Sequence, residues 1–340
     1  GSYTVVLDPS GAGTGGGTAT LSEVADVTGS IAINGPSVNV TLGTPGQVAR
    51  LSFDGTAGQR VSLNGSSTFT TCWNLGIYKP DGTQLTNTFS CGSSIFIEPL
   101  LLPDSGSYTV VLDPSGAGTG GGTATLYEVT DVTGSITVSG PSVLVQLPTP
   151  GQQGRLTFEG TAGQRISALG SGSTFTTCWN VGIYKPDGSQ LANTFTCGSS
   201  AFVEPQLLPV SGTYTVVVDP SGAGTGQASV NIYDVVDVTG SITLGGPAVN
   251  VNLTVVGQNA SYTMSGTAGQ QATVRVTSNT MSCVRVTLLK PDGTSMTNTF
   301  SCGGSFNLAT QTLPVTGTYT ITVDPSGTNT GTLSLSVTNP

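Results

Sequence analysis

The chain has 340 residues, 49 of them glycine, with nine Lys+Arg against 18 Asp+Glu and no histidine. A net charge of −9 excludes a protein built to neutralise nucleic-acid phosphates and supplies no basic patch for an anionic membrane surface. No apolar run approaches the roughly 20 residues of a membrane-spanning helix, no segment carries the 3.6-residue apolar period of an amphipathic helix, and an apolar content of 36% suffices for folded cores.

The opening stretch, "GSYTVVLDPSGAGTGGGTATL", recurs word for word from Gly106. Residues 1–25 therefore read as the last two strands of a preceding repeat, so the sequence is expected to begin in the middle of something longer. Asp26, Asp131 and Asp237 each open "DVTGSI", and "GTAGQ" and "KPDG" keep step with them. Residues 26–130, 131–236 and 237–340 read as three whole units. A period slightly above a hundred residues is too long for a 20–50-residue solenoid repeat and fits a self-contained domain in tandem.

Within a unit the apolar period is two. Val38, Val40 and Leu42 alternate with polar residues, as do Val249, Val251 and Leu253, and Tyr214, Val216 and Val218 share one face of "TYTVVVD". Turn signals such as "TPGQ", "GTAGQ", "KPDG" and "DPSGAGTG" separate the runs. Roughly eight or nine short strands per unit predict an all-β chain of three tandem antiparallel β-sandwich domains, Ig-like in outline, plus the N-terminal strand pair.

The six cysteines sit in "CWNLGIYKPDGTQLTNTFSC", from Cys72, and its two edited copies from Cys178 and Cys283. Pro80-Asp81-Gly82 is the chemistry of a hairpin turn with a glycine bulge, which puts Lys79 opposite Thr83. That register pairs Trp73 with Phe89 and Ile77 with Leu85, whereas Cys72 and Cys91 fit the register one residue away. A slip of one residue turns every side chain to the other face, so an irregularity is expected, placed near the strand ends. Each pair (Cys72–Cys91, Cys178–Cys197, Cys283–Cys302) is assigned as a disulfide within its unit, ahead of inter-unit bonds or free thiols. Zinc would need four ligands, and a redox pair would want CxxC spacing or basic neighbours. Disulfides imply an oxidising, extracellular compartment.

Other motifs have plain structural readings. "GAGTGG" is followed by a strand and not by a helix, against a dinucleotide site. Asp54 and Glu159 become Ser265, and Glu98 and Glu204 become Asn307, so no carboxylate pair is shared by the copies. Without histidine the usual general base is missing, and Lys79, Lys185 and Lys290 stand at solvated turns. Trp73 and Trp179 are replaced by Val284 in the third copy, which marks a core position and not a sugar platform. No catalytic residue and no cofactor are assigned. Calcium held at the seams by Asp26, Asp131 and Asp237 is the one metal alternative, a thin one because calcium takes six to eight oxygens.

"GTAGQRVSL", "LGIYKPDGTQL" and "LLPDSGSYTVVLDPSG", in this order, resemble the bacterial pre-peptidase C-terminal domain. The resemblance covers about three-quarters of each unit, for instance Gly160 to Val235. It implies an antiparallel β-sandwich attached to secreted proteins, without catalysis of its own, in a family some of whose members bind calcium or extracellular polymers. The added "DVTGSI" segment, the cystine and the near-identical copies depart from that pattern. The reading is a non-enzymatic structural repeat of an extracellular bacterial surface protein, forming a stalk or filament. Its partners would be neighbouring repeats or copies of itself, by strand addition through residues 1–25. The alternative is an adhesion module binding glycans or matrix protein through its loops.

Overall fold

The computed structural model describes residues 1–339; Pro340, the last residue of the third predicted unit, lies outside the described residues. The chain is all-β. In the first repeat the strands are β1 (Val27–Ser30), β2 (Val38–Leu42), β3 (Ala49–Gly55), β4 (Arg60–Ser67), β5 (Trp73–Tyr78), β6 (Gln84–Ser90), β7 (Ser94–Leu101), β8 (Gly106–Pro114) and β9 (Gly120–Glu128). They form one sheet in the order β1-β3-β8-β5-β6 and another in the order β2-β9-β4-β7. The second repeat reproduces this pattern over 132–234 and the third over 238–338. In the third, the counterpart of β7 is broken into Phe306–Asn307 and Gln311–Thr312.

Period-two patterning explains the core. β3, "ARLSFDG", buries every second residue, and Leu51 and Phe53 from the first sheet join Leu63 and Leu126 from the second in one apolar cluster. The recurrent glycine before "TAGQ" is required by close approach: a Cβ on Gly55 would lie 2.4 Å from Leu102 Cδ1. The "G-x-Y" motif is equally local in its logic. Tyr108 is fully buried, and its hydroxyl donates to Asp104 O at 2.8 Å, which ties the Leu-Pro loop to β8. Tyr214 and Tyr319 repeat the contact with Val210 O and Val315 O.

The expectation of three discrete antiparallel sandwich domains plus a strand pair is corrected. By contacts the chain divides into two compact units, residues 1–128 and 129–340, so the second and third repeats belong together. The sheets are mixed: β1 runs parallel to β3, and its counterparts at Val132–Ser135 and Val238–Ser241 do likewise. Taken along its whole length the chain reads as a β-solenoid of about 11 turns, although the ladders between its strands, those parallel edges apart, are antiparallel.

Residues 1–25 form no strand among the described residues. The cause is tertiary context. The matching residues 106–128 supply β8, held between β3 and β5, and β9, held between β2 and β4. Tyr108 is 0% exposed there, whereas Tyr3, in the same local sequence, is 98% exposed. A strand whose partners are not alongside has no ladder to join.

Candidate functional site

Three disulfides close the three hairpins: Cys72–Cys91, Cys178–Cys197 and Cys283–Cys302. The turn itself follows the sequence. Lys79 N donates to Thr83 O, Gly82 N donates to Lys79 O, and Gly82 takes φ 81°. Asp81 closes the loop by accepting from both the hydroxyl and the backbone N–H of Thr83. Those two hydrogen bonds, with a smaller contribution from Lys79, hold its carboxyl below the usual range, and Asp187 and Asp292 repeat the arrangement.

The irregularity lies elsewhere than expected. Tyr78 pairs with Gln84, but Ile77 already pairs with Thr86, so the bulge falls at Leu85, beside the turn. From there the cysteine register governs the whole ladder, with Trp73 opposite Ser90 and Asn74 opposite Phe89. The predicted pairs Trp73–Phe89 and Ile77–Leu85 do not form. Trp73 points into the core, 1% exposed, and donates from Nε1 to Gly92 O at 2.9 Å. Phe89 therefore stands on the outer face, 59% exposed, and Phe195 and Phe300 match it at 59% and 51%. These three phenylalanines are the residues sequence reasoning missed. The signal was present in the cysteine spacing, which fixes the register that turns them outward.

A second constellation sits where one repeat meets the next. In each repeat a glutamine clasps the connecting segment: Gln47 Nε2 donates to Ala25 O, Gln152 Nε2 to Thr130 O and Gln258 Nε2 to Val236 O. The seam aspartates face arginines, Asp26 with Arg50 at 2.8 Å, Asp131 with Arg155 at 3.0 Å and Asp237 with Arg165 at 2.6 Å. Guanidinium partners are the wrong neighbours for calcium, and no group of three or more metal-ligating side chains gathers among the described residues.

Asp237 reaches back into the preceding repeat, and the joint between the second and third repeats is built around it. Val235 N donates to Arg165 O, and the fully buried Ser167 donates from Oγ to Val256 O at 2.9 Å. A Cβ on Gly257 would come within 2.7 Å of Pro205, so the turn Val255–Gln258 sits directly on the second repeat. Glu204 and Asp324 also approach across this joint. Burial first, and Asp324 second, push the Glu204 carboxyl up. Burial also raises Asp324, against the pull of Arg285.

Outside these constellations the surface is chemically quiet. A depression of about 790 Å³ runs beside Ala260–Gly266 and is lined by hydroxyl residues such as Thr243, Ser265 and Thr316, with no ionisable side chain. Asp54 and Glu159, weighed for glycoside chemistry, stand on the outer faces of their strands, and Glu159 accepts from Thr213. No helix among the described residues is long and apolar enough to cross a membrane.

No protein-family profile matches the chain, and no curated protein matches its sequence. Among solved structures the chain is similar to the pre-peptidase C-terminal domain of a collagenase from Bacillus anthracis, at 15% identity over 30% of this chain and 96% of that one, with a TM-score of 0.26. It is also similar to PliG, a periplasmic inhibitor of g-type lysozyme from Aeromonas hydrophila, at 16% identity over 30% and 99% of the two chains and a TM-score of 0.23. A third similarity is to the PBSX exported protein XepA, at 10% identity over 58% and 86%, with a TM-score of 0.25.

Proposed function

We propose that this chain is a structural tandem repeat of an extracellular bacterial surface protein, part of a stalk or filament, and not an enzyme. The observation that carries the reading is the joint between the second and third repeats, where Arg165–Asp237 and Ser167–Val256 tie one repeat to the next. A tethered row of independent domains has no need of a fully buried hydroxyl donating across the seam. One disulfide per repeat supports an oxidising compartment and resistance to unfolding there. Residues 1–25 leave Tyr3, Val5 and Leu7 exposed, an apolar segment that strand addition to neighbouring β-structure would cover. Electron microscopy of native material tests the proposal: filaments or stalks are expected, and isolated monomers at every concentration would sink it.

A second reading, adhesion to a glycan or matrix polymer, is favoured by one observation. An exposed phenylalanine occupies the same outward position in all three repeats. Aromatic residues are enriched at contact surfaces relative to the rest of a protein surface.

A further inference from the structure

The outer face of the first hairpin holds more than Phe89. Facing the same way are Asn74, directly opposite Phe89, and Asn87, which donates from Nδ2 to Asn74 Oδ1 at 3.1 Å. That bond leaves the Asn74 amide N–H pair and the Asn87 amide oxygen for a ligand. Two residues further along β5 is Gly76, where a Cβ would meet Asn87 Oδ1 at 3.2 Å and the Tyr78 ring at 3.3 Å. Gly76 therefore keeps the floor between the rings flat. Tyr78, half-buried, closes the row four residues from Asn74, about 13 Å along the strand at the ordinary rise.

The second hairpin repeats the positions, with Asn180 opposite Phe195, Asn193 opposite Gly182, and a Cβ at Gly182 meeting the Tyr184 ring at 3.1 Å. The third hairpin does not. Arg285 replaces the first asparagine, lies over the Phe300 ring at 5.5 Å and donates to Asn298 at 2.9 Å. Thr287 and Leu289 stand where the other repeats have the glycine and the tyrosine.

We propose that the first and second hairpins each present a platform for a neutral glycan chain, with Phe89 and Tyr78, or Phe195 and Tyr184, as the two ring contacts and the paired asparagines between them as hydroxyl readers. The chemistry selects this occupant. Two aromatic side chains on one sheet face, separated by amide donors and acceptors, match alternating apolar ring faces and hydroxyls. The platform itself carries no cation, and Asp113, next to Asn74 in the adjoining strand, has Arg50 near enough to act on it, so the rim offers no unbalanced positive charge to a sulfated or uronic polymer. In the third repeat the guanidinium covers the ring, so that hairpin is a built-in control. This proposal deepens the adhesion reading and rests on it, while the structural reading stands apart from it.

The test is calorimetric titration of the intact 340-residue chain with hexasaccharides of β-linked glucose, N-acetylglucosamine, xylose and mannose. A heparin hexasaccharide and soluble type I collagen complete the panel. Saturable binding of at least one neutral hexasaccharide is expected, with two sites per chain. The double variant Phe89→Ala/Phe195→Ala should weaken it by about tenfold or more, as loss of an aromatic stacking contact implies, while Phe300→Ala leaves it unchanged. Thermal midpoints of these exposed-site variants should match that of the parent chain. Binding of collagen or heparin alone would overturn the glycan assignment and leave adhesion standing. An equal loss from Phe300→Ala would overturn the assigned platforms. Failure to bind any member of the panel would overturn both the proposal and the adhesion reading.

Discussion

Each cysteine pair bridges the open end of a hairpin whose turn is already held by an aspartate, so staple and turn close the same loop from opposite ends. A bond spanning 19 residues should stabilise by about 3 kcal/mol if it acts by restricting the unfolded chain. Replacing Cys178 and Cys197 together by alanine is therefore expected to lower the free energy of unfolding of the 129–340 unit by about that amount, read from guanidinium titration under oxidising conditions. An unchanged midpoint would mean that the hairpin needs no staple. The carboxylates make a second claim with a sign. Glu204 has its folded pKa raised by burial and by Asp324, so the folded state binds protons more readily than the unfolded chain. Its ionisation thus costs stability as pH rises through the carboxylate range, and acidification from neutral relieves that cost. Glu204→Gln should raise stability at pH 7 by only about 0.3 kcal/mol, because the side chain, though partly desolvated, is still more than a third open to solvent and its charge is screened. The gain should vanish below the carboxylate range; a gain that persists there would point to packing instead of charge.

The hairpin also shows how an element can be half legible. Pro80-Asp81-Gly82 dictates the turn, and Gly82, Gly188 and Gly293 all take positive φ near 80°. At that position an alanine is strained whatever space surrounds it, so Gly188→Ala should cost about 1 kcal/mol, measured as a shift in the chemical-denaturation midpoint. The pairing beyond the turn was legible only in conflict, since apolar matching favoured Trp73 with Phe89 and the cysteines favoured the neighbouring register. Covalent geometry wins, because a disulfide tolerates no slip whereas Phe89 can face solvent at modest cost. Hydrophobic pairing is a preference summed over many contacts, and one exposed ring does not defeat it. The same weighing explains why the candidate platform escaped the sequence. It exists only once Phe89 is known to face outward with Asn74, and that follows from a bulge at Leu85 that no turn motif announces.

At the scale of the molecule, the internal copies and the buried alternation were legible, because each is a local pattern in the sequence. How the repeats group was not. Arg165 and Asp237 are 72 residues apart in sequence, and Ser167 and Val256 are 89 apart, so nothing local marks them as partners. The identical stretches 1–21 and 106–126 make the point from the other side, since one forms two central strands and the other none. The joint nevertheless makes a thermodynamic commitment. If Ser167 and Arg165 couple the second and third repeats, the two should melt in a single calorimetric transition, with amides of both repeats protected from hydrogen exchange to the same free energy. Ser167→Ala leaves Val256 O without its buried donor, at a cost of about 1–2 kcal/mol. Adding Arg165→Ala leaves Asp237 without its guanidinium partner. That double variant is expected to split the transition in two while each repeat keeps its own disulfide and core. Two transitions already in the parent chain would mean that the seam contacts carry too little energy to unite the repeats. A single transition that survives the double variant would place the coupling in the turn Val255–Gln258, whose Gly257 packs against Pro205. Replacing Pro205 by alanine, which removes the ring that Gly257 packs against and leaves the turn's positive-φ glycine untouched, then becomes the discriminating change, and it should separate the two repeats where the polar substitutions did not.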